Sequence, residues 1–97
     1  MFTIVRKFRL ARGTIGEVTR RVKEDFVPLV RDLPGFSQYY LLDGGPDTLI
    51  SIRVFDSATE ALASNEVAAE WMRDKVLEFV KGAPEVMAGN VIVAESK

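Results

Sequence analysis

Residues Phe36–Phe55, FSQYYLLDGGPDTLISIRVF, decide how this chain folds. Both ends are rich in aromatic and β-branched residues, and Asp43-Gly44-Gly45-Pro46-Asp47 between them concentrates turn formers. The segment therefore reads as a hairpin, with strands over 36–42 and 48–55. On its N-terminal side, Pro34-Gly35 closes a helical pattern in which Ile15, Val18, Val22, Phe26, Leu29 and Leu33 recur every three or four residues. Thr14 and Glu17 have the capping-box spacing at its start. Pro28 lacks an N–H and crowds the Glu24 carbonyl, which predicts a kink in the last turn. Before this helix, Phe2 to Leu10 alternates as a strand, with Phe2, Ile4, Phe8 and Leu10 on one face.

On the C-terminal side, Ser57 and Glu60 form a second capping-box spacing. It opens a helix over about 58–80 whose stripe reads Leu62, Asn65, Ala69, Met72, Val76 and Phe79. Gly82 and Pro84 end it, and Val86 to Glu95, which contains VIVA, reads as a last strand with a bulge or bend at Gly89-Asn90. The order β-α-β-β-α-β is the ferredoxin-like arrangement. The expected fold is α+β: one domain over residues 1–97, a four-stranded antiparallel sheet with two helices on one face.

Composition narrows the chemistry. The 97 residues carry 13 Lys and Arg against 14 Asp and Glu, a net charge of −1, so the basic excess of a phosphate-gripping protein is missing. There is no Cys and no His. Disulfides, thiol nucleophiles, Cys/His zinc sites, the Ser-His-Asp triad and imidazole acid–base groups are thereby excluded. The N-terminal stretch MFTIVRKFRLARG never builds the apolar run of a signal peptide, and no run has the ~20 apolar residues of a membrane span. A cytoplasmic protein that contacts neither membrane nor nucleic acid is the expectation.

Two helices cover one face of a four-stranded sheet, and the other face of such a sheet is ordinarily polar. Here both faces are apolar. Ile50, Ile52 and Val54 point one way and Leu49 and Phe55 the other; Phe36, Tyr40 and Leu42 oppose Tyr39 and Leu41; Val5 opposes Ile4. An exposed apolar sheet of that extent marks an interface, and the expected partner is a second copy, the two open faces packed together.

The segments PGF at 34–36, LDGG at 42–45, DTLISIRVFDS at 47–57 and SNEVAAEW at 64–71 resemble small proteins of the antibiotic biosynthesis monooxygenase family. The resemblance implies a ferredoxin-like protomer that dimerises into an α+β barrel. It also implies activities that range from cofactor-free oxygenation of polyphenolic and quinol-type compounds to haem degradation. It puts Asn65 and Glu70 where many relatives hold His. Haem degradation in that family relies on an axial His, so the resemblance implies no haem here, and Asn65 and Trp71 become the pocket residues it suggests.

The residues themselves leave alternatives open. Asn65, facing the sheet, either donates its amide to a substrate oxyanion or caps a helix break at Ser64-Asn65. Trp71 is a flat wall for an aromatic ligand or an ordinary core residue. Tyr39 and Tyr40 point to opposite faces, so only one can meet a helix–sheet pocket. Arg6 and Arg53 stand on apolar strand faces, where a guanidinium must pair with an internal carboxylate, snorkel to the rim or bind an anion. Without His, Glu70 is the side chain left as a general base. The Arg20-Arg21, Lys23 and Glu24-Asp25 cluster reads as a solvated helix face.

Two functions follow. The first is a cofactor-independent monooxygenase-like protein acting on a small aromatic or quinol-type compound in a helix–sheet cleft, with Asn65, Trp71 and Glu70 catalytic and Arg6, Arg53, Tyr39 and Tyr40 binding substrate. The second is a non-catalytic dimeric barrel that binds a small hydrophobic ligand or a protein. A ferredoxin-like RNA-binding module would need basic flanks and an aromatic signature that TLISIRVF lacks.

Overall fold

A computed structural model describes residues 1–97. Four strands, β1 (Phe2–Arg9), β2 (Phe36–Asp43), β3 (Thr48–Phe55) and β4 (Glu85–Asn90), form one antiparallel sheet in the order β2-β3-β1-β4. Helices α1 (Ile15–Arg21), α2 (Val27–Arg31) and α3 (Ala58–Lys75) lie in the two crossovers. This is the ferredoxin-like α+β protomer. The central hairpin forms as its sequence dictates: Gly44 N–H bonds to the Thr48 carbonyl at 2.9 Å, and the Asp43 carboxylate accepts from Gly45 N–H at 3.1 Å.

The first helical segment departs from the expected kink. Between α1 and α2, residues Val22–Phe26 form a π-helical turn, closed by the Val27 N–H bonding to the Val22 carbonyl. Pro28 cannot donate to Glu24, and the chain absorbs this by widening the turn before it. The wide turn shifts the buried stripe by one residue. Val18, Val22, Phe26 and Val30 point inward, so Val30 is 0% exposed whereas the expected Leu29 is 41% exposed. The first capping box is also not made. The Thr14 hydroxyl donates to the Ala11 carbonyl at 2.7 Å, and Glu17 pairs with Arg20 and Arg21. The second is used: Ser57 Oγ accepts from Glu60 N–H at 3.2 Å.

Helix α3 is rotated from the expected stripe. Ala61, Ser64, Ala68 and Trp71 are buried, while Leu62 is exposed. Small residues on that face let the helix lie close over the sheet, and this outweighs Leu62's hydrophobicity. The helix ends at Lys75, earlier than expected, and a 3₁₀ turn follows at Leu77–Phe79. The following segment is claimed by the end of β1, where Ala11 N–H bonds to the Phe79 carbonyl and Lys81 N–H to the Arg9 carbonyl.

Two strand assignments are also corrected. A register shift between Phe36 and Gln38 turns Phe36 to the helix side, where its ring meets Phe55 edge-on at 5.9 Å. The last strand stops at Asn90, with Gly89-Asn90 inside it and VIVA beyond it. Phe2 pairs with Asn90 and the Val91 N–H takes the Met1 carbonyl, so β1 has no further residue for the chain to pair with.

The core lies between helices and sheet, built on Ile4, Phe8, Val22, Phe26, Val30 and Phe55. The opposite sheet face stays bare. Tyr40, Leu42 and Met87 are exposed there beside Ile50 and Ile52, joined at its rim by the Lys7–Glu85 ion pair.

Candidate functional site

Alternation along the two central strands sends Arg6 of β1 and Arg53 of β3 to the helix side of the sheet, against α3. Arg53 is 1% exposed. Its Nη1 donates to Ser64 Oγ at 2.6 Å and its Nη2 to Asn65 Oδ1 at 2.9 Å. Arg6 Nη2 donates to the same Asn65 Oδ1 at 3.2 Å, and Ser64 Oγ donates in turn to the Ala61 carbonyl at 2.6 Å. A guanidinium has only donors, so these bonds fix the Asn65 amide with its oxygen toward the arginines.

The internal salt bridge that would make a buried Arg53 and a half-buried Arg6 ordinary is not formed. The ion pairs of the molecule join Lys7 to Glu85 and link Arg20 and Arg21 to Glu17, Glu24 and Glu78, all away from this cluster. Burial lowers the Arg6 pKa. Arg53 is lowered to about 10, first by burial and then by the neighbouring Arg6 charge, with Tyr39 opposing. Burial raises the Tyr39 phenol, against smaller opposite effects of Ser51 and Arg53, so it stays a neutral hydroxyl.

Arg6, Arg53, Tyr39 and Ser51 form the polar end of a cavity between sheet and helices. It measures about 50 Å³ and is lined by 16 residues, 13 of them hydrophobic. That is room for a few water-sized groups. Phe26, Trp71 and Met72 form part of its apolar wall. The Trp71 ring packs on Phe26 with centroids 5.1 Å apart, and Phe26 meets Tyr39 edge-on at 5.5 Å. Two buried donors, Arg6 Nε and Trp71 Nε1, have no hydrogen-bond partner. No carboxylate lines the cavity.

The structure thus brings Arg6, Arg53, Tyr39 and Trp71 together around one cavity, with Asn65 behind the arginines. Tyr40 lies on the bare sheet face and Glu70 on the exposed side of α3, so neither reaches it. Glu70 is therefore not placed to act as a general base in this cavity, because the rotation that buries Ala68 and Trp71 turns it to solvent. The helix break at Ser64-Asn65 is likewise overturned, because α3 is continuous through both residues. Ser64 and Ser51 were missed by the sequence reading. A serine carries no functional signature until its strand or helix phase is known.

No family model and no curated protein matches the chain. Solved structures do match, and they define a class: the ferredoxin-like α+β protomer seen in antibiotic biosynthesis monooxygenases. One is a monooxygenase from the gene ActVA-Orf6 of Streptomyces coelicolor, in complex with nanaomycin D. It superposes with a TM-score of 0.79 at 15% identity, over 99% of this chain and 91% of that one. A putative antibiotic biosynthesis monooxygenase from Nitrosomonas europaea gives 0.79 at 14% identity, over 96% and 100%. The haem degrader MhuD of Mycobacterium tuberculosis, with two haems bound in its active site, gives 0.78 at 15% identity, over 99% and 100%. At such identities the likeness is one of fold.

Haem does not fit the residues present. The chain has neither His nor Cys, the commonest axial ligands of haem iron. No group of three or more acidic, His or Cys side chains converges to hold a metal ion. No helix is long and apolar enough to cross a membrane.

Proposed function

We propose that this protein is a cofactor-independent monooxygenase-like enzyme that acts, as a homodimer, on a small aromatic or quinol-type compound in the helix–sheet cavity. The observation that carries the reading is an apolar cavity with two unneutralised guanidiniums at one end and an indole wall. An ionisable substrate placed there would be held as its anion, since neighbouring positive charge favours the deprotonated form. Such an anion can itself give electrons to O₂. A ring CH₂ then becomes C=O with one oxygen atom of O₂, while the other leaves as water, and the substrate supplies all four electrons. The protein's part is to bind, orient and stabilise charge. Arg6 and Arg53 would hold the oxyanion, Trp71 would lie along the ring, and Asn65 would keep both arginines in place while the site is empty. A ring larger than the present cavity would enter by rotamer changes of Met72, the most flexible of its walls.

The bare apolar sheet face is read as the dimer interface, since a patch of Tyr40, Leu42, Ile50, Ile52 and Met87 left wet is costly. A second reading is supported by the absence of any carboxylate from the cavity: a non-catalytic barrel that binds the same class of ligand. Oxygen-electrode assays with anthrone- and quinol-type compounds separate the two. Enzyme-dependent O₂ uptake that falls at least tenfold in Arg6→Gln supports the oxygenase. Quenching of Trp71 fluorescence without O₂ uptake supports the binding barrel and overturns catalysis.

A further inference from the structure

The two arginines say more about the ligand than that it is anionic. Nε and Nη2 of an arginine form the side-on fork that matches the two oxygens of a carboxylate. In Arg6 that fork is half used: Nη2 donates to Asn65 Oδ1, while Nε is buried with no partner. Arg53, 1% exposed, donates to the same oxygen. One neutral amide oxygen therefore stands where two guanidinium charges meet, and no protein carboxylate approaches either of them. Beyond this corner the cavity wall is almost wholly apolar.

We propose that the cavity takes a small monocarboxylate with a compact apolar body, its two oxygens filling the Arg6 Nε/Nη2 fork and reaching Arg53 in place of the Asn65 amide oxygen. The proposal rests on the reading of this cavity as the ligand site. Each feature of the site has a counterpart in such a ligand. A single negative charge reduces the repulsion between Arg6 and Arg53, two acceptor oxygens fill a two-donor fork, and an apolar body suits the wall of Phe26, Trp71 and Met72. A phenolate offers one oxygen and leaves half the fork empty. A phosphate brings polar oxygens that the apolar wall cannot satisfy. The lowered pKa values of both arginines agree with a cluster that lacks its counter-charge.

Trp71 is the sole tryptophan of the chain and lines the cavity, so its fluorescence reports binding directly. The probes are cyclohexanecarboxylate and its uncharged isostere cyclohexanecarboxamide, titrated at pH 7, with phenol and inorganic phosphate as further arms. The carboxylate is expected to bind at least tenfold more tightly than the amide, and more tightly than phenol or phosphate. Asn65→Asp would place a protein carboxylate between the two arginines. That variant should raise the thermal midpoint and weaken cyclohexanecarboxylate binding at least tenfold, while leaving the amide unaffected. Arg6→Gln should also lose the preference for acid over amide. Equal binding of acid and amide, tighter binding of phenol or phosphate, no response to the acid, or undiminished acid binding by Asn65→Asp would each overturn the proposal. Quinol oxidation is scored separately. O₂ uptake without acid binding removes the carboxylate and leaves the oxygenase standing, and acid binding without O₂ uptake does the reverse.

Discussion

Arg6 and Arg53, on the two adjacent central strands, donate to one and the same atom, Asn65 Oδ1, at 3.2 and 2.9 Å. Like charges brought this close in a protein interior repel, and a shared neutral acceptor offsets that only in part. The arrangement favours an anion whatever the reaction that follows. It also makes Asn65 a positioning residue, since its oxygen faces the arginines and it does not line the cavity.

Removing the shared acceptor should be costly. Asn65→Ala leaves one donor unpaired on buried Arg53 and one on half-buried Arg6, so urea denaturation at pH 7 should show a loss of about 1–3 kcal/mol. Unchanged stability would mean that water replaces the amide with no penalty.

Trp71 combines a large packed ring with an unpaired N–H. Trp71→Ala should cost about 3–5 kcal/mol by leaving a cavity against Phe26. Trp71→Phe keeps an aromatic wall and removes the unpaired donor, so its loss should be less than half of that in the same denaturation experiment. Equal losses would show that the indole N–H has a partner in solution.

Acid sensitivity is predicted at Glu17. Hydrogen bonds from Arg20 and Arg21 lower its carboxyl to about 2 from an ordinary 4.5. Between those pH values the unfolded chain binds the extra proton and the folded one does not, so stability falls as pH drops through this window. Glu17→Gln should therefore be less stable than the parent at pH 7, with the difference shrinking toward pH 2. Thermal melts at pH 7, 4 and 2 test the trend, and a gap independent of pH would contradict it.

The bare sheet face gives a prediction about assembly. In sedimentation at micromolar concentration the parent should run at twice the protomer mass. Ile52→Lys, a charge in the middle of that face, should run as the protomer with its circular dichroism unchanged. A parent that sediments as a protomer would remove the dimer.

Much of the fold was legible in the hairpin and the two helical periods, because strand alternation and turn chemistry are local. Alternation alone could put Arg6 on a face with Ile4 and Phe8, and Arg53 on a face with Leu49 and Phe55. With both sheet faces apolar, it could not tell which one the helices cover. The phase of each helix could not be read. In the first segment, Pro28 displaced its effect upstream into the π turn at Val22–Phe26, which moved Val30 inward in place of Leu29. In α3 the close approach of helix to sheet favoured Ala61, Ser64 and Ala68 over Leu62, a choice that depends on what the helix packs against.

That rotation decided the site. It carried Trp71 into the cavity wall, turned Glu70 to solvent and set Ser64 and Asn65 over the arginines. The sequence by itself determined the order of elements, the two faces of the central strands and the absence of imidazole and thiol chemistry, all set by period, turn residues and composition. Only the tertiary structure decided that buried Arg53 and half-buried Arg6 meet on one amide oxygen with no carboxylate near them. Such a meeting joins residues 59 and 12 positions apart, and its geometry is fixed by packing between strands and helix rather than by any spacing along the chain.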